Sequence, residues 1–117
     1  MKKPKVKKIT PYFRGLTPKV RLMIYLMGTG AFSMDQLRKL TVAEFKSLAV
    51  ADTMPTTLEL QDACDEIAHG RADEERAFVN TSGRPYSAND LTKMLKRAHQ
   101  IAGVPYDGWL AFVEAVH

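Results

Sequence analysis

The residues of this chain best suited to chemistry are its cations. Lys2, Lys3, Lys5, Lys7 and Lys8 stand close together, and Arg14, Lys19, Arg21, Arg38 and Lys39 follow. Residues 1–46 hold eleven Lys or Arg against Asp35 and Glu44, a local charge of +9. Residues 47–80 reverse the balance, with two bases against eight acids, and residues 81–117 return to +1 within a net charge of +4. A basic third of this kind is the electrostatic footprint of a phosphate-binding surface, although charge alone does not separate nucleic acid from an acidic protein or a lipid surface. A second, smaller set comprises Arg84, Lys93, Lys96 and Arg97.

Other chemistries find little support. His69, His99 and His117 form no recognisable constellation with a nucleophile. Cys64 has no CxxC neighbour and falls within a helical pattern, so it reads as a small buried residue rather than a zinc ligand or reactive thiol. Asp62, Asp65 and Glu66 line one acidic helix face but have no His at ligand spacing, and a solvated face is the ordinary reading. Gly28, Gly30 and Gly83 lack the spacing of a phosphate loop or dinucleotide fingerprint. These absences point away from an enzyme and from any cofactor or metal.

The elements that must position the cations are helical. Thr17 and Pro18 signal a start, and Val20, Met23, Ile24 and Met27 make an apolar stripe widened by Leu22, Tyr25 and Leu26. Gly28 and Gly30 are expected to end this helix, and Ser33 with Gln36, then Thr41 with Glu44, read as capping boxes for short helices over 34–39 and 42–49. After a connection over 50–57, with Pro55 and a third box in Thr56 and Glu59, a helix over 57–69 buries Leu60, Ala63, Cys64 and Ile67. Ala77 to Asn80 reads as a short strand before the turn around Gly83. Ser87 and Asp90 open the longest helix, 88–102, with Leu91, Met94, Leu95, Ala98 and Ile101 inward and Lys93, Lys96, Arg97 and Gln100 outward. Asp107 is expected to cap a last helix rich in Trp109, Leu110, Phe112, Val113 and Val116, which docks onto the core or onto another chain.

The length suits one domain with a modest core. Residues 1–12 are expected to form a basic flexible arm and 13–117 a single mainly α domain, a compact bundle of five to six short helices with at most one short strand or hairpin. The Lys-rich start has no apolar stretch behind it, so it does not read as a secretory signal, and no run reaches membrane-spanning length. A cytoplasmic, nucleoid-associated protein is the expectation.

Three stretches resemble the catalytic domain of tyrosine recombinases, the phage-integrase family. Arg21 to Gly30 with Asp35, Leu37, Leu40, Thr41 and Phe45 is similar to the family's helix, Thr-Gly turn and Leu-rich helix pair. Met54 and Pro55 leading into the 57–69 helix resemble the segment after its β-hairpin. Phe78 and Val79, then Gly83 to Ser87, Leu91, Leu95 to Ala98 and Ala102 to Val104, resemble its short strand, Gly-x-Pro turn and helix ending in Ala-Gly. The resemblance implies a reduced form of that fold. It also implies lost catalysis: the position of the family's phosphate-clamping Arg holds Phe32, between Leu48 and Met54 there is no Lys and no room for the family's hairpin, and residues 104–117 do not match the His-x-x-Arg and Tyr nucleophile pattern.

The expectation is therefore a non-catalytic, integrase-like protein that binds double-stranded DNA as a regulator or accessory factor of a phage, plasmid or other mobile element. The alternative is an interaction module that binds or inhibits a full recombinase, or self-associates, through Trp109, Phe112 and Val116 on the C-terminal helix. A third reading is half of a split enzyme completed in trans.

Overall fold

The computed structural model describes residues 4–50 and 61–117. In chain order these form α1 (Val6–Ile9), a 3-10 turn (Thr10–Phe13), α2 (Pro18–Gly28), α3 (Met34–Lys39), α4 (Val42–Val50), α5 (Gln61–Ala68), α6 (Ala88–Ala102) and α7 (Trp109–Val116). The fold is mainly helical, as the periodicity predicts. The Ala77–Asn80 piece makes only isolated bridges, Thr41 with Arg76 and Val79 with Pro85, rather than a named strand. No helix among the described residues is long and apolar enough to cross a membrane.

The remaining elements gather around α2. Thr17 accepts the Val20 N–H at 3.4 Å and Pro18 occupies the first turn, where its missing N–H has no consequence. From Leu22 to Gly28 every residue is buried, where periodicity alone predicts a stripe. A helix apolar on all sides must be covered on all sides, and α2 is packed by α3, α5, α6, α7 and the 3-10 turn.

Local signals set the shorter helices. Ser33 and Gln36 form a reciprocal capping box for α3, and Ser87 and Asp90 form one for α6. At α4 the first amides would be orphaned, and each finds an acceptor: Val42 N–H on Glu75 O at 2.8 Å, Ala43 N–H on Asp73 O at 3.1 Å, and Glu44 N–H on Thr41 Oγ1 at 3.3 Å. The charged 71–77 loop thus closes the start of α4. Arg71 fixes that loop by donating to Glu75 and to the carbonyls of Arg76 and Ala77.

Four expectations change. The 4–12 stretch is not a free arm: Pro4, Ile9 and Tyr12 are buried, and Lys5 N–H donates to Val116 O at 2.8 Å, because its apolar residues complete the cover over α2 and α7. Gly28 does not end α2 through a left-handed residue. It lies within the helix, and Gly30 alone of the pair has positive φ, at 75°. The α7 N-cap is Gly108 at φ 93°, with no side-chain cap from Asp107. Ile101 is half-buried, and His99 takes the inward place beside Ala98. The 50–57 connection, the Thr56 and Glu59 box and Leu60 lie outside the described residues, apart from Val50 at the end of α4.

Candidate nucleic-acid interface

The corner after α2 is closed by packing. Thr29 donates from Oγ1 to Leu26 O at 2.6 Å, Gly30 turns the chain, and Phe32 is half-buried against the core rather than fully buried. Helix α7 covers this end of α2. Trp109 Nε1 donates to Met27 O and His117 Nε2 donates to Gly28 O, each at 2.8 Å, and Phe112 and Val116 are wholly buried. The last carbonyls of a helix have no partner within it, so these side chains complete the C-terminus of α2. The partner-facing role expected of Trp109, Phe112 and Val116 is therefore corrected for two of the three: Phe112 and Val116 present no surface, because they fill this protein's own core. Leu110, 68% exposed, is the large apolar residue that α7 shows outward, beside Glu114 and Ala115.

The expected cations fall into three situations. Lys2 and Lys3 lie outside the described residues. Some of the others are already engaged: Arg38 and Lys39 pair with Asp35 at 2.6 and 3.1 Å, and Lys19 donates to Val79 O at 2.5 Å with its ammonium 5.6 Å from the Tyr86 ring centre. The Asp35 carboxyl is held below its ordinary value by hydrogen bonds from Lys39 and then Arg38, so it offsets one of the two charges and α3 keeps a net +1.

The third group has no ion pair among the described residues: Lys5, Lys7, Lys8, Arg14, Arg21, Arg84, Lys93, Lys96 and Arg97. All but the half-buried Arg21 are exposed. Lys7, Arg14 and Arg21 meet around a concavity of about 710 Å³ walled by Pro11 and Phe13. Lys93 and Arg97 border a smaller one of about 370 Å³ with Tyr86 and Asp90, while Lys96 lies 5.7 Å from the Tyr106 ring centre. The structure brings together the first trio, which the sequence spreads over fifteen positions.

One residue, His99, escaped the sequence reading as a core residue. His99 is 3% exposed among the Tyr12, Tyr106 and Phe112 rings, with centroids 5.1, 5.1 and 5.4 Å away, and its Nδ1 donates to Leu95 O at 2.7 Å. Its signal was its spacing, four after Leu95 on the buried side of α6. Arg21, already among the expected cations, has an Nε that is shielded from solvent and without an acceptor among the described residues. Among the described residues no group of three or more His, Cys, Asp or Glu could hold a metal ion. Comparison with known proteins gives no match to a family model, to a curated protein or to a solved structure.

Proposed function

We propose that this chain is a non-catalytic module that binds double-stranded DNA, related to the tyrosine-recombinase catalytic domain and acting as a regulator or accessory factor of a mobile element. The observation that carries the reading is the set of basic side chains that make no ion pair among the described residues, concentrated between Lys5 and Arg21. Intramolecular pairing would leave such cations little to offer a polyanion; unpaired, they release condensed counterions when phosphates bind. The absence of catalysis is argued from Phe32, which stands where the resembled family has its phosphate-clamping Arg and is packed against the core.

A salt titration of duplex binding by fluorescence anisotropy tests the proposal. With five to eight phosphates neutralised, the logarithm of the association constant falls with log salt at a slope of about −5 to −7. Replacing Lys5, Lys7 and Lys8 by Gln flattens the slope by about one for each phosphate left without its cation and weakens binding equally on unrelated sequences. No binding at low salt, or a slope near zero, overturns the proposal.

A further inference from the structure

We infer that the cleft between the N-terminal turn and α2 is a discrete site for one phosphoryl group, gripped by Lys7, Arg14 and Arg21. The inference rests on the DNA-binding reading and names the place where a backbone phosphate is held. Its first support is the composition of the cleft: three cations and apolar walls from Pro11 and Phe13, with no acidic side chain among the described lining residues. Like charges gathered in a concave, partly apolar setting focus a positive potential and raise the local concentration of anions.

The second support is Arg21 itself. A guanidinium stays charged at any pH the fold experiences, so its N–H groups always seek acceptors. Two other guanidiniums engage their Nε–H within the fold: Arg71 donates to Glu75 and two carbonyls, and Arg38 donates Nε–H to Asp35 Oδ1, which its Nη2 also approaches. Among the described residues Arg21 alone keeps a shielded side-chain nitrogen or oxygen, its Nε, with no partner. A shielded donor of this kind calls for an acceptor, which an ordered water or a bound ion can supply. An oxyanion fits, because its oxygens match the paired N–H groups along one edge of a guanidinium.

The phosphoryl group could belong to a DNA backbone or to a small phosphate ester, and two measurements on the full chain separate the sources. In the first, inorganic phosphate is titrated while the Arg Nε–Hε resonances are followed by NMR. A saturable shift at Arg21, with Arg71 unmoved, is expected. In the second, duplex affinity is compared for Arg21→Lys, Arg14→Gln and Arg38→Gln, with thermal unfolding verifying that each is folded. Arg21→Lys keeps the charge and loses the fork, and both it and Arg14→Gln should weaken duplex binding about tenfold, Arg14→Gln also lowering the salt slope by about one. Arg38→Gln, already neutralised by Asp35, should change affinity less than twofold. If Arg21→Lys and Arg14→Gln bind duplex as the parent does, the site is overturned while DNA binding stands. If the parent binds no duplex, the DNA reading falls, and the phosphate titration decides the site alone: saturation at Arg21 assigns it to a small phosphate ester, and no saturable shift overturns it.

Discussion

Trp109 Nε1 donates to the Met27 carbonyl oxygen at 2.8 Å across 82 residues of sequence, and with the His117 bond to Gly28 O it ties the last helix to the end of the central one. The contact explains why α7, apolar enough to suggest a docking helix, turns inward. Trp109→Phe keeps an aromatic ring and removes only the indole donor, leaving Met27 O with the longer bond from Gly30 N–H at 3.4 Å. The expected cost is about 0.5–1.5 kcal/mol, read as a lower urea midpoint by circular dichroism. An unchanged midpoint would mean that the Gly30 N–H or solvent satisfies Met27 O and that the His117 bond and the burial of Phe112 and Val116 suffice to hold α7.

Gly28 gives the next prediction its sign. Gly to Ala within a helix ordinarily stabilises by about 1 kcal/mol. Here an added Cβ would lie 3.2 Å from Ile9 Cδ1, from Pro4 Cγ and from Val116 Cγ2, atoms of three separate segments that no single shift relieves. Overpacking of this kind costs about 1–3 kcal/mol, so Gly28→Ala should destabilise, and Gly28→Val should do so more. A stabilised Gly28→Ala would show that the N-terminal turn yields easily.

The same position marks how far the sequence could be read. Reciprocal side-chain signals are local, and Ser33 with Gln36, Thr41 with Glu44 and Ser87 with Asp90 all cap helices where their spacing says. Helix α6 runs over 88–102 as its capping box and Gly103 require. Contacts between distant segments left no such mark. Nothing near Gly28 in sequence announces that Pro4, Ile9 and Val116 crowd it, and nothing near Lys5 announces its bond to Val116 O. For the candidate site, the cations were legible by type, whereas their sorting was legible only in part. The i+3 and i+4 spacing of Asp35 to Arg38 and Lys39 could have flagged neutralisation; the meeting of Lys7 with Arg14 and Arg21 depends on the docking of α1.

Cys64 is expected to be inert in the native protein. It is 5% exposed, and burial followed by the charge of Asp65 pushes its thiol up to about 11. The thiolate is the reactive form, so a disulfide reagent at pH 8 should modify native protein only slowly and unfolded protein at the rate of a free cysteine. Rapid native modification would show that α5 opens locally under those conditions.

Acid should weaken the fold through the α6 cap. Asp90 accepts the Ser87 backbone N–H at 2.9 Å while Ser87 Oγ accepts the Asp90 N–H at 3.1 Å. That backbone bond, then the Ser87 side-chain bond, and then the Lys93 charge hold the carboxyl below its ordinary 3.8. A carboxyl depressed in the fold stabilises fully above its unfolded value, and the contribution is lost as pH falls through the folded one. Asp90→Ala should therefore lower the unfolding midpoint most above pH 5, and the deficit should shrink toward pH 2.5 as the parent carboxyl takes up its proton. Asp35, depressed by Lys39 and Arg38, obeys the same sign, so Asp35→Ala should show the same convergence. A deficit that stays constant down to pH 2.5 would assign the role of Asp90 to packing rather than to its charge.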